Sequence, residues 1–172
     1  MLDMNNLETP QPFSKEGKAF YNKRYFLFSK FDKGIRIDEE SWSSITPEEI
    51  AKHISRRPMN LFGEKKGVVI DPFCGVGGNT IQFAKKVGQV IAMDIDETKV
   101  HACEHNASIY QCQDSIKFVT TDWMTVRPQN LEIDSSEGVA VFLGPPWGGG
   151  SYGAIEKYSI DYVYPSFREI VK

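Results

Sequence analysis

The run from Gly144 to Gly150, Gly-Pro-Pro-Trp-Gly-Gly-Gly, holds the residues of this chain best suited to handling a flat ring. It follows an apolar run, Val139-Ala140-Val141-Phe142-Leu143, that reads as a buried strand. Pro145 and Pro146 stiffen the backbone just past that strand. The glycines after Trp147 let another molecule approach closely. The indole of Trp147 is thereby held out on a rigid loop at a strand end, where it can stack on a base.

A second group of residues suits a nucleoside. Asp71-Pro72-Phe73-Cys74-Gly75-Val76-Gly77-Gly78-Asn79-Thr80 follows the apolar run Val68-Val69-Ile70. Gly75 and Gly77 allow a sharp turn and close contact with a ligand, and the helix that begins next offers free N–H groups. The third glycine of the dinucleotide fingerprint is absent. Asp71 also places a carboxylate where a pyrophosphate would lie. A negative group there argues against a diphosphate and for a ligand carrying positive charge, such as the amino group or sulfonium of S-adenosylmethionine. The next apolar run ends in Met93-Asp94-Ile95-Asp96, and an acid at that place can hold both ribose hydroxyls. A third ends in Thr120-Thr121-Asp122-Trp123. Asp122 is placed to accept from an adenine amino group, and Trp123 to cover the ring edge. Each acid taken alone could merely cap a turn; three at successive strand ends point to a site.

These groups need a scaffold that brings strand ends together. Val68–Ile70, Val90–Met93, Ile116–Val119 and Val139–Leu143 read as strands, with helices over Asn79–Lys86 and Glu97–Tyr110 between them. That alternation predicts parallel strands with right-handed crossovers, an α/β, Rossmann-like doubly wound sheet. Upstream, a helix is expected from Ser14 to Ser29. A second should start at Thr46-Pro47-Glu48-Glu49, with Thr46 as N-cap and Glu49 closing a capping box, and run to about Arg57. The chain thus divides into a loose tail (1–12), a helical extension (13–60) that lids the site, and a core (61–172).

Composition narrows the class. With 172 residues and 41% hydrophobic content, the chain can bury one real core. It has no apolar run of membrane-spanning length and no signal-peptide pattern at its start. The three cysteines, Cys74, Cys103 and Cys112, show no Cys-x-x-Cys spacing, which fits a reducing compartment rather than a disulfide or zinc framework. His101 and His105 stand at i, i+4 without a third ligand and read as a solvated helix face. Cys74 and Trp42 read as packing residues. Net charge is −3, yet Lys15, Lys18, Lys23, Arg24, Lys30, Lys33 and Arg36 crowd between Gln11 and Arg36 against Glu16 and Asp32 only. Seven aromatics are interleaved with them, from Phe13 to Phe31. Such mixing suits a ligand that bears phosphates and rings, and equally an amphipathic helix packing its aromatic face.

Methyltransferases that act on a base amino group carry a Pro-Pro-aromatic motif after the fourth strand, and the resemblance to one family is closer still. Asp71 to Ala84, Val90 to Asp96, Val141-Phe142-Leu143 and Pro145-Pro146-Trp147-Gly148-Gly149 resemble trimethylguanosine synthase. So do Arg24 to Ile35 and Trp42 to Glu48. That resemblance implies transfer of methyl groups from S-adenosylmethionine to the guanine N2 of 7-methylguanosine RNA caps. The product would be the 2,2,7-trimethyl cap of small nuclear and nucleolar RNAs. It implies a nuclear protein, nucleolar and also cytoplasmic, whose partner is capped RNA and not DNA or membrane.

By the same resemblance, Asp71, Gly75, Asn79, Asp94 and Asp122 contact the cofactor, with Thr46 near its methionine end. Trp147 stacks on the cap, Asn106 lies near its guanine, and Pro145 to Trp147 form the reacting loop. No catalytic triad and no metal are expected. Two departures stand out. The family has Ser where this chain has Gly144, and its members continue for several strands where this chain stops at Lys172. A truncated sheet of order 3-2-1-4, with an exposed and association-prone fourth strand and weakened catalysis, is therefore expected. Alternatives are a base N-methyltransferase acting on tRNA or rRNA, and a non-catalytic isoform that binds cofactor or a partner.

Overall fold

The computed structural model describes residues 14–63, 67–134, 138–146, 159, 163 and 165–170. Four strands form one parallel sheet: β1 (Gly67–Asp71), β2 (Val90–Asp94), β3 (Ile116–Thr120) and β4 (Gly138–Val141). They run parallel, as the alternation of apolar runs and helices predicts, and their order is β3-β2-β1-β4, the order that the family resemblance implies. Parallel neighbours need a crossover. α5 (Thr80–Val87) joins β1 to β2, and α6 (Glu97–Ile109) joins β2 to β3. β1 is buried at all five positions because it lies centrally with both faces covered.

One face of the sheet carries Val69, Val90 and Ala92 against Ile81, Phe83, Val100, Cys103 and Ala107 of α5 and α6. The other carries Val68, Ile70, Ile91 and Met93 against Val119, Trp123, Val126, Leu131 and Ile133. Short 3-10 turns at Trp123–Thr125 and Pro128–Leu131 cover this second face, with the brief helix α7 (Phe167–Ile170) against the first of them. The fourth strand departs from the buried-strand reading of its apolar run and is open on one face, as expected of an outer strand. It alternates between intermediate and exposed, with Val139 at 49% and Val141 at 45% exposure. The cause is register: Val139 pairs with Val68 and Val141 with Ile70, so both project from the thinly covered second face of an outer strand.

The helical extension differs from its reading in detail. The segment expected as one helix is two, α1 (Lys15–Tyr21) and α2 (Arg24–Leu27). The chain leaves the helix at Lys23 (φ −106°, ψ 13°) and again at the extended Phe28 (φ −141°, ψ 112°). The break at Asn22–Lys23 and the extended Phe28 let Leu27 and Phe28 reach 2% exposure. Trp42, 1% exposed, seats against Tyr21 and Phe31 and is core, as expected.

α3 (Glu48–Ile54) starts after Pro47, which caps it with no side-chain hydrogen bond, so the Thr46 capping box does not form. A separate helix, α4 (Arg57–Phe62), follows; Pro58 at its start lacks the N–H needed to continue α3. The Phe62 ring of α4 fills the space left by the paired glycines Gly67 and Gly138. A Cβ at Gly67 would lie 2.1 Å from that ring, and one at Gly138 would lie 2.6 Å from it.

Candidate active site at the carboxyl ends of the strands

Because all four strands run parallel, their carboxyl ends share one edge, where ligands of open α/β sheets bind. β1 ends at Asp71, β2 at Asp94, β3 two residues before Asp122, and β4 just before Phe142 to Pro146. The turn from β1 into α5 is left-handed at Gly75 (φ 50°) and Gly77 (φ 97°), a backbone that side chains resist. A Cβ at Gly77 would also come within 2.9 Å of Cys103 Sγ.

Asp94 organises this edge. Its Oδ2 accepts the Gly75 N–H (3.0 Å) and its Oδ1 the Asp96 N–H (3.1 Å). Its backbone C=O accepts the Thr121 N–H (2.9 Å). Each carboxylate oxygen keeps a further lone pair, so turn-capping and hydroxyl binding are compatible. Asp122 caps the next turn by accepting the Met124 N–H at 2.9 Å and remains half-buried.

Asp71 lies deeper. It is 1% exposed, and its Oδ2 accepts the Thr80 hydroxyl at 2.6 Å, while Oδ1 has no well-formed hydrogen bond among the described residues, the Phe73 amide lying close to the carboxyl without one. Burial pushes its carboxyl up to about 7, against the Thr80 hydroxyl and the Phe73 amide, with the nearby Asp94 charge adding to the rise. The Cys103 thiol and burial push Cys74 well up as well, so Cys74 stays a protonated packing residue.

The extension closes over the glycine turn. Asn79 Nδ2 donates to Thr46 Oγ1 at 2.8 Å, and the buried Asn79 Oδ1 has no partner. A Cβ at Gly78 would lie 3.1 Å from Ile45 Cγ2. Thr46, Asn79, Gly75, Asp71 and Asp94 are thus gathered on one edge. Pro145 is buried and Pro146 exposed. Trp147 lies outside the described residues. A side chain in place of Gly144 would come within 3.2 Å of the Phe142 ring, which is itself packed on Phe83.

One expected site residue is committed to the fold and another is partly so. Asn106 is 0% exposed, and its amide is spent on backbone. Oδ1 accepts the Arg36 N–H at 2.8 Å, while Nδ2 donates to Arg36 C=O and Val76 C=O, both at 2.9 Å. It clamps the extension to the glycine turn and has no face for a guanine. Trp123 is half-buried against the second-face core, and its indole N–H donates to Ile170 C=O at 3.3 Å. The two α6 histidines have separate partners: His105 Nε2 lies 2.8 Å from Gly34 O, and His101 lies near Glu97 and Glu104.

The sequence pattern missed Glu48. This carboxylate is 4% exposed and accepts the Ser29 N–H (2.6 Å), the Ser29 hydroxyl (3.0 Å) and the Tyr110 hydroxyl (2.7 Å), with Lys52 Nζ at 2.9 Å. Burial alone would raise its pKa, but those donors hold it down to about 2. It ties α2, α3 and α6 together beside Thr46. An acid in the first turn of a helix looks like ordinary dipole complementation, so nothing in its position announces this role.

The donor set fits a particular ligand chemistry. Asp71, Asp94 and Asp122, with the unpartnered Asp71 Oδ1 and Asn79 Oδ1, offer acceptors to hydroxyl and cationic groups. That suits a nucleoside with an ammonium and a sulfonium, and does not suit a diphosphate.

A sequence model described as RNA cap guanine-N2 methyltransferase matches residues 66–168. The trimethylguanosine synthase of Schizosaccharomyces pombe is 39% identical over 155 residues, covering 90% of this chain and 63% of that protein. The trimethylguanosine synthase of Saccharomyces cerevisiae is 32% identical over 162 residues, covering 92% and 50%. This chain therefore spans less than two thirds of the length of these relatives. Among solved structures, a putative S-adenosyl-L-methionine-dependent methyltransferase from Methanococcus maripaludis aligns with a TM-score of 0.47 at 19% identity, covering 97% of this chain and 61% of that one. On the match of residues 66–168, which takes in the glycine turn, the strand-end acids and the Pro-Pro-Trp loop, the chain belongs to the RNA cap guanine-N2 methyltransferase family.

Proposed function

We propose that this chain transfers methyl groups from S-adenosylmethionine to the guanine N2 of 7-methylguanosine RNA caps, forming the 2,2,7-trimethyl cap. The observation that carries this reading is the convergence of Asp71, Asp94 and Asp122 at successive ends of a parallel sheet whose fourth strand leads into Pro145-Pro146-Trp147. Asp94 takes the ribose hydroxyls, and Asp122 the adenine amino group. Asn79 Oδ1 and Asp71, with Thr46 holding Asn79, face the methionine end. When bound, S-adenosylmethionine supplies a methyl group that is already activated. The protein's part is then alignment: the backbone oxygen near Pro145 accepts one N2 hydrogen and aims the lone pair, and Trp147 stacks on the base. The 7-methylguanine ring is cationic, so stacking gains a cation–π contribution absent with plain guanine. Small nuclear and nucleolar RNAs as targets, and the nucleus as compartment, follow from the same family resemblance.

Tryptophan fluorescence tests the reading. 7-Methyl-GTP is expected to quench it far more than GTP, and Trp147→Ala to abolish the difference. Equal quenching by both nucleotides would favour a substrate other than the cap.

A further inference from the structure

The basic and aromatic residues of the extension are not all accounted for by packing. Tyr21, Phe31 and Trp42 form an inner aromatic group, with ring centroids 5.6 to 6.0 Å apart. On its outer side the Arg24 guanidinium lies 4.5 Å from the Tyr25 ring and 4.6 Å from the Tyr21 ring. Tyr25 is 47% and Phe26 73% exposed. Lys23 and Lys33 are exposed, and neither has a carboxylate partner among the described residues. The one acid within the group, Asp32, accepts the Tyr25 hydroxyl at 3.0 Å and so fixes the ring rather than neutralising a lysine. A chain of net charge −3 has concentrated unpaired cations and exposed rings on one short stretch.

Unpaired ammonium groups beside open π-faces match the alternating phosphates and bases of a single strand. We propose that Lys23, Arg24, Tyr25, Phe26 and Lys33 form a docking surface for the single-stranded RNA that continues from the capped nucleotide. Lys23 and Lys33 contact phosphates, and Tyr25 and Phe26 are stacking platforms. Arg24 stiffens Tyr25 by stacking on it and donating to its hydroxyl at 3.3 Å. The proposal rests on the reading of the substrate as capped RNA and adds where the body of that RNA lies. The segment reaches the site through Arg36, whose backbone is clamped by Asn106, itself donating to Val76 C=O of the glycine turn; Lys30 anchors it lower, donating at 3.1 Å to Ile109 C=O at the C-terminal end of α6.

The test compares 7-methyl-GTP with capped and uncapped single-stranded RNAs of about ten nucleotides, titrated at several salt concentrations. Wild type is expected to bind the capped RNA more tightly than 7-methyl-GTP. The double variant Lys23→Gln, Lys33→Gln is expected to bind the RNA about tenfold more weakly, with a salt slope shallower by about 1.4. Its 7-methyl-GTP affinity should stay unchanged. Phe26→Ala should weaken RNA binding about fivefold with no change in slope. All three side chains are exposed, so the fold is not at stake. RNA affinity and slope unchanged in both variants would overturn the proposal and leave the surface to a protein partner. An equal loss for 7-methyl-GTP would also overturn it, by making these residues part of the cap pocket. If wild type fails to prefer 7-methyl-GTP over GTP, the cap reading fails, while the uncapped RNA still reports on this surface.

Discussion

Asp94→Ala is expected to weaken S-adenosylmethionine binding by about 3–6 kcal/mol, the loss of two hydroxyl hydrogen bonds to a charged acceptor at about 1.5–3 kcal/mol each. The structure adds a second route to that loss. Asp94 Oδ2 holds Gly75 N–H and Oδ1 holds Asp96 N–H, so alanine also releases the glycine turn from β2. Asp94→Asn keeps one acceptor oxygen and should fall between wild type and alanine. Calorimetric titration decides the matter; cofactor affinity unchanged in Asp94→Ala would remove this residue from the site.

Glu48→Gln should cost up to about 3.5 kcal/mol of stability at neutral pH. The carboxylate sits at about 2 when folded against an ordinary 4.5, and each unit corresponds to about 1.4 kcal/mol. Glutamine can still accept from Ser29 or Tyr110, but it leaves Lys52 with the exposed Glu49 alone and turns a donor toward donors. The pH dependence has a definite sign. A depressed carboxylate stabilises the fold above its unfolded pKa, and that contribution fades as pH falls from about 4.5 toward 2. Urea unfolding of both proteins should show a gap that is full at pH 7 and nearly closed near pH 2. A gap that does not change with pH would mean that packing, not charge, holds Glu48 in place.

The strands were legible because their apolar runs, Val68–Ile70, Val90–Met93 and Ile116–Val119, are short, continuous and separated by helical stretches, a pattern that only a parallel sheet explains. The acids at Asp71 and Asp94 were legible for the same reason, since strand ends in such a sheet share an edge. What sequence could not show was the direction in which a side chain spends its hydrogen bonds. Asn106 is one polar residue among several on α6, yet its amide satisfies Arg36 and Val76 backbone groups across elements distant in sequence. Glu48 and Glu49 are adjacent acids in the same helix turn. Only the arrival of Ser29 and Tyr110 makes the first a buried anchor, while the second pairs on the surface with Lys52. The run Val139 to Leu143 reads as a buried strand from its apolar identity, which does not reveal how thinly the described residues cover the second face beside β1, where Val139 and Val141 are 49% and 45% exposed.

The most direct test of the central claim is a mass-resolved assay of methyl transfer from S-adenosylmethionine, offered 7-methyl-GTP and GTP side by side. The account predicts one and then two methyl increments on 7-methyl-GTP, both on the exocyclic amine, none on GTP, and none from Asp94→Ala. Equal transfer to GTP, or no transfer to 7-methyl-GTP at saturating cofactor, would contradict it.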